Sequence, residues 1–225
     1  SSFALTYLSD DTAPSGNASS TTMQKSSGGA SVLNAGWTNG DGPYFAWTAG
    51  TDTQSDIKGY CLYLGTDSGG DPATAKGLLG TSPVSTTGTT CQFIVSGTNI
   101  DLSNAAYQGG SWLSSSTSLY YFHVKAVDNA GNVFSGSSEE FTFKYDGTNP
   151  TNPSFISLAS DFIATKEATI IWSTSGNDAA TDSHSGVAGL QYRIGSSGTW
   201  YGDSHTGDED ADDLLTNDGS YVTQL

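Results

Sequence analysis

The sequence predicts an all-β fold made of two successive β-sandwich units. Two observations carry that expectation. Gly 28 against Pro 6, with 11% aromatic residues and abundant Ser and Thr, suits many short strands joined by turns. The stretch Ser118 to Pro150 splits into two runs of strict alternation around a polar turn. In the first run Tyr120, Phe122, Val124 and Ala126 share one face, while Tyr121, His123 and Lys125 share the other. Asp128, Asn129, Gly131 and Asn132 form the turn. Phe141, Phe143 and Tyr145 then alternate with Thr142 and Lys144 up to an Asp-Gly-Thr-Asn-Pro sequence that no strand continues through. This hairpin reads as the closing pair of strands of a sandwich.

The earlier elements follow in order. Residues 3 to 14, FALTYLSDDTAP, repeat the pattern of residues 141 to 150, FTFKYDGTNP, so residues 1–14 read as the last strand of a preceding repeat and its linker. Phe3, Leu5 and Tyr7 alternate along that strand. Ser15 to Asn34 reads as an extended first strand and loop, and its Asn17-Ala18-Ser19 is a glycosylation sequon. Pro43 to Thr48 is a short buried strand anchored by Trp47. In the next strand Tyr60, Leu62 and Leu64 point to the core and Cys61 to the outer face.

A second unit copies this layout. ATIIWST, containing Trp172, matches PYFAWT, and SGVAGLQYRIG matches SDIKGYCLYLG, with Gly59 opposite Gly189 and Gly65 opposite Gly195. The sequence after Gly195 holds no counterpart of the closing hairpin. The expected boundaries are therefore 15–149 for a complete sandwich and 150–225 for an incomplete one.

Charge and cysteines bound the function. Lys+Arg 7 against Asp+Glu 23 gives a net charge of -16, which repels nucleic acid and anionic lipid and favours divalent cations or basic surfaces. No apolar run approaches the roughly 20 residues of a membrane span, and no signal peptide opens the chain. Cys61 and Cys91 are expected to form a disulfide in an oxidising compartment, one that would be cross-strand and partly exposed if Cys91 lies on a neighbouring strand.

The Trp strand, the S-[GD]-[IV]-x-G-[YL] and L-G-T-D sequences, YYFHVKAVDNAGN and F-x-F-K-Y-D-G-T-x-P together resemble the bacterial immunoglobulin-like or fibronectin type III-like repeats of large secreted and cell-surface proteins. The resemblance implies tandem immunoglobulin-like sandwiches of seven strands each, and a role in display, spacing or adhesion. The chain departs from the pattern between Ser68 and Trp112.

Chemistry-bearing residues are sparse. His123, His184 and His205 have no metal-cluster spacing, and His123 is expected on the solvated face. The sequence has no nucleophile elbow or phosphate loop, so a non-catalytic role is expected. Calcium is the chemical possibility, because hard cations take carboxylate and carbonyl oxygens from loops. In an immunoglobulin-like sandwich one end would gather Asp52, Asp56, Asp128 and Asn132 near Asp10 and Asp11 of the entering linker. The second unit would gather Asp178 and Asp182 near Asp146. Ordinary turn formation explains the same residues. Asp208 to Asp213 mimics the start of a calcium-binding loop but lacks its glycine and terminal glutamate. Trp112, Trp200 and Tyr201 could stack on sugar rings.

The expected function is a non-catalytic structural or adhesive region outside the cell, with neighbouring repeats or other copies of the protein as partners and surface glycans as a further ligand. One alternative is a filament subunit assembled by strand addition through residues 1 to 8. Another is an accessory or carbohydrate-binding region of a glycan-degrading enzyme. By strand count, excision from a longer array is favoured over the filament subunit, since one donated strand cannot replace a missing hairpin.

Overall fold

A computed structural model describes residues 9–156, 167–175, 179–193, 196–197, 200–201 and 220–224. The strand read over residues 1 to 8, Asp178, His205 and the acidic run 208–213 lie outside these. The chain divides into two compact units, Ser1–Gly147 and Thr148–Leu225.

The described part of unit 1 holds nine strands: β1 (Ser19–Gln24), β2 (Ser31–Val32), β3 (Gly36–Thr38), β4 (Tyr44–Thr48), β5 (Ile57–Gly65), β6 (Ile94–Val95), β7 (Asn99–Asp101), β8 (Tyr120–Asp128) and β9 (Glu139–Tyr145). They form a four-stranded sheet in the order β2-β1-β4-β7 and a five-stranded sheet in the order β3-β9-β8-β5-β6. All contacts between neighbouring strands are antiparallel except β3 with β9, which is parallel.

Alternation builds the core. Met23, Phe45, Trp47 and Ile100 from the first sheet meet Tyr60, Leu62, Leu64, Phe122, Val124 and Phe143 from the second, and all are buried. Phe45 stacks on Phe122 with ring centroids 3.9 Å apart, and Trp47 meets Tyr60 edge-on. Each aromatic ring removes a large apolar surface from water, so this cluster supplies most of the unit's hydrophobic stabilisation. The two sheets thus close as a β-sandwich.

The outer face of the five-stranded sheet departs from the sequence expectation. Part of the 66–93 segment folds back across it, while its Leu79 and Phe93 join the main core. The Gly70 carbonyl accepts from His123 Nδ1 at 2.5 Å, while His123 Nε2 lies 3.0 Å from Glu140 Oε2. Asp71 pairs with Lys125 at 3.0 Å, and Lys58 donates to the Thr87 carbonyl. His123 is only 3% exposed, so it is a buried, bonded side chain and not a solvated one. Cys61 and Cys91 are joined, with Cα atoms 5.6 Å apart, and they are 0% and 3% exposed. Cys91 precedes β6 and lies on no strand, so the partly exposed cross-strand geometry does not arise and the bridge is buried. With Ile94 and Val127 it makes a second apolar cluster on this face, separate from the main core. Gly59 lets the sheet close beside it, because a Cβ there would collide with the Val95 carbonyl.

The described part of unit 2 holds β10 (Phe155–Ile156), β11 (Glu167–Trp172), β12 (Tyr192–Arg193), β13 (Trp200–Tyr201) and β14 (Ser220–Gln224). These pair antiparallel as β10-β11-β14 and β12-β13. Trp172, which the sequence reading set beside Trp47, is buried.

Candidate functional site

The entry end of unit 1 gathers acidic groups from three turns. β1 begins opposite Thr48, where β4 ends, and β8 ends at Asp128, so the linker, the β4–β5 loop and the β8–β9 turn all lie at this end. Carboxylate oxygens of Asp10, Asp52 and Asp128 lie within 4.8 Å of one another.

Each carboxylate is set by its own turn. Asp128 is 0% exposed; its Oδ1 accepts from the Gly131 and Asn132 backbone N–H groups at 2.7 and 2.8 Å, and its Oδ2 from Asn132 Nδ2 at 2.9 Å. Asp52 Oδ2 accepts from Ser55 N at 2.8 Å and Gln54 N at 3.1 Å. The Ser55 N–H holds the Asp52 carboxyl below its usual range, against the opposing effect of desolvation. Asp10 Oδ1 accepts from Thr12 N at 2.9 Å, while its Oδ2 is buried without a hydrogen-bond partner. The Ser55 hydroxyl, in the same loop as Asp52, is likewise buried and unpartnered.

The linker itself is docked at this end. Asn132 Nδ2 donates to the Asp10 and Thr12 carbonyls at 3.3 Å, and Gly16 pairs with Thr51 through both backbone groups at 3.0 Å. Asn17 accepts from Ala126 N at 2.8 Å and donates to the Val124 and Ser137 carbonyls at 3.1 and 3.2 Å. Both N–H groups of the sequon's amide are thus engaged across the sandwich. Sequence reasoning missed this clamp, as it missed Asp71 and Glu140.

The remaining expected residues are placed as follows. Asp11 is exposed and outside the cluster. Asp56 is also exposed, with φ 63°, and its carbonyl accepts from Asn129. Asn132 sits beside the cluster as a donor. Asp146 is 6% exposed at the exit of unit 1, where its N–H donates to the Thr38 carbonyl. Asp182 belongs to unit 2, where its Oδ1 accepts from the His184 and Gly186 backbone N–H groups. Trp112 is partly buried against the core and donates to the Asp41 carbonyl, so it does not stand out as an open stacking platform. The side chains of Trp200 and Tyr201 lie outside what the structure describes.

The disulfide points to a non-cytoplasmic environment. Among the described residues no helix is long and apolar enough to cross a membrane. No known protein family, curated protein or solved structure matches the chain.

Proposed function

We propose that the chain is a non-catalytic region of a large extracellular or cell-surface protein, in which sandwich units act as spacers and display elements. The observation that carries this reading is the threading of unit 1. Its chain enters beside Thr51 and Asp128 and leaves after Tyr145, which pairs with Thr38 at the opposite end of the strands. A unit entered at one end and left at the other suits a linear array. The strand orders β2-β1-β4-β7 and β3-β9-β8-β5-β6 support an immunoglobulin-like or fibronectin type III-like reading. The buried disulfide supports residence outside the cytoplasm.

Reading the encoding gene on both sides of the chain tests this. Further sandwich repeats are expected. A flanking glycan-hydrolysing domain would establish the accessory-region alternative instead, and a short open reading frame whose product donates residues 1 to 8 to a neighbouring copy would establish the filament alternative.

In the same reading, Asp10, Asp52 and Asp128 hold calcium and so stiffen the linker against unit 1. The buried, unpartnered Asp10 Oδ2 favours a cation there. Extracellular calcium modules bind at about 0.1 to 1 mM, so about 2 mM calcium should stabilise unit 1 by roughly 0.7 to 1.8 kcal/mol. Asp10→Asn keeps the Thr12 hydrogen bond and should abolish that gain. An unchanged melting curve with calcium and with chelator would rule out the cation.

A further inference from the structure

We infer that the Asp71–Pro72 peptide bond is a self-processing site, cut by the Asp71 carboxylate itself, and that the two pieces stay joined through Cys61–Cys91. The inference stands apart from the spacer reading. Asp71-Pro72 is the one Asp-Pro pair in the chain. After any other aspartate the next backbone nitrogen carries a hydrogen and can close an imide on the side chain, but Pro72 has no N–H and shuts that route. What is left to the carboxylate is attack on its own main-chain carbonyl. The tertiary proline nitrogen, more basic than an ordinary amide nitrogen, is then the leaving group.

The fold prepares each partner in that attack. The Asp71 carbonyl oxygen accepts from the Thr74 and Ala75 backbone N–H groups at 3.0 and 2.9 Å. These two donors polarise the carbonyl and meet the charge that gathers on its oxygen as the carbon becomes tetrahedral. On the side chain, the Ala73 N–H at 2.9 Å and Lys125 Nζ at 3.0 Å both fall on Oδ1, which leaves Oδ2 as the nucleophile. Desolvation works against the charged carboxyl, but the Ala73 N–H, Lys125 and His123 outweigh it, so the nucleophile stays ionised into the acid range. Lys125 and His123 come from β8, and Glu140 of β9 faces His123 on its far side. The Asp71 side chain is 44% exposed, so water reaches it.

The turn is pinned on both sides of the bond. Before it, the Gly70 carbonyl accepts from His123 Nδ1, and Gly70 lies so close to the Tyr63 ring that a Cβ there would collide. After it, the Thr74 carbonyl accepts from Gln92 Nε2 at 2.6 Å, next to Cys91. Holding the reacting groups in one geometry is what speeds an intramolecular attack. In the step, Asp71 Oδ2 bonds to the Asp71 main-chain carbon and closes a cyclic anhydride. The bond from that carbon to Pro72 N breaks, and the Lys125 ammonium gives the nitrogen a proton. Water then opens the anhydride, and the two protons released pass to Lys125 and to Pro72 N. The products are carboxylates on the main chain and side chain of Asp71, the restored Lys125 ammonium and a secondary ammonium at Pro72, with one water consumed. The cut falls between Cys61 and Cys91, so the bridge holds the pieces together.

Incubating the whole chain at about pH 5, above the range in which Asp71 takes up its proton, and mapping its peptides over time tests the inference. The expected result is a new amino terminus at Pro72 with the mass of one water gained, and a single band before reduction that becomes two after it. The folded protein should be cut at least about tenfold faster than the same chain held unfolded in concentrated urea at the same pH, a small part of what fixed geometry can supply. A folded chain that stays whole, or is cut no faster than the unfolded one, would overturn the inference, because the bond would then be no more than an acid-labile pair. Asp71→Glu keeps a carboxylate for Lys125 but makes it close a larger ring, and it should be cut more slowly than the parent. Asp71→Ala should not be cut at this bond, and cutting at the parent's rate would also overturn the inference. A cross-link from Asp71 to Lys125 at the cut, with no water gained, is the same anhydride taken by the amine and would support the step.

Discussion

Removing the Cys61–Cys91 bridge should weaken unit 1 without dissolving its main core. The bridge closes a loop of sequence separation 30, and the chain-entropy relation gives about 3.6 kcal/mol at 25 °C for a loop of that size. Reduction adds two buried thiols but leaves the Phe45, Phe122 and Trp47 cluster intact, because that cluster lies on the other face of the sheet. With a urea m-value of about 2 kcal/mol/M for a unit of this size, the midpoint should fall by roughly 1.8 M. Hydrogen exchange of peptides from β8 reports unit 1 alone and so separates its transition from that of unit 2. In the reduced protein, amides of residues 66–93 should lose protection first and most, since their ties to the sheet are then scattered single bonds, among them Gly70 with His123, Asp71 with Lys125, Lys58 with Thr87 and Leu78 with Leu64. A midpoint that moves by less than about 0.5 M, or residues 66–93 as protected as before, would refute the view that the bridge holds this segment over the sheet.

Two further outcomes follow from individual side chains. Asn17→Ala removes one acceptor and two donors that join the linker to β8 and its neighbour, leaves the Ala126 N–H facing no acceptor, and should cost about 1 to 3 kcal/mol in the same denaturation assay; a neutral substitution would contradict the clamp. On the acid side, desolvation pushes the Asp71 carboxyl up, but the Ala73 N–H and Lys125 outweigh it and hold it below the usual 3.8, while the Ser55 N–H lowers Asp52. A carboxyl with a depressed folded value contributes stability above about pH 4, and that contribution disappears as pH falls through the folded value. Midpoints measured from pH 6 downward should therefore drop below about pH 4, and Asp71→Asn should flatten the fall; an equally steep fall in the variant would remove Asp71 from the account.

The parts of the fold that were legible in the sequence are those where the two faces of a strand differ chemically. Tyr60, Leu62 and Leu64 on β5, and Tyr120, Phe122, Val124 and Ala126 on β8, alternate with more polar or smaller neighbours, and they line the core. The same logic put Cys61 and His123 on the outer face, where they lie, but missed that both are buried there. Alternation says which face a residue takes, not whether another segment covers that face, and residues 66–93 are a Gly, Ser and Thr-rich stretch with no period to announce such a role. Asn17 was illegible for a related reason: its partners lie more than 100 positions away, and a side chain bonded to distant backbone leaves no local pattern. The acidic end was legible as a list of turn residues. Which of them converge was not, because Asp10, Asp52 and Asp128 come from three separate turns, and only the pairing of β1 with β4 and of β5 with β8 draws those turns to one end.

We propose that this chain belongs to a long protein displayed outside the cell. It is tested most directly by labelling intact source cells with an antibody against unit 1 and sizing the labelled polypeptide after surface proteolysis is blocked. The account predicts labelling without permeabilisation, on a polypeptide many times longer than 225 residues, with the Cys61–Cys91 bridge already oxidised. Labelling confined to permeabilised cells, with both cysteines reduced, would contradict it.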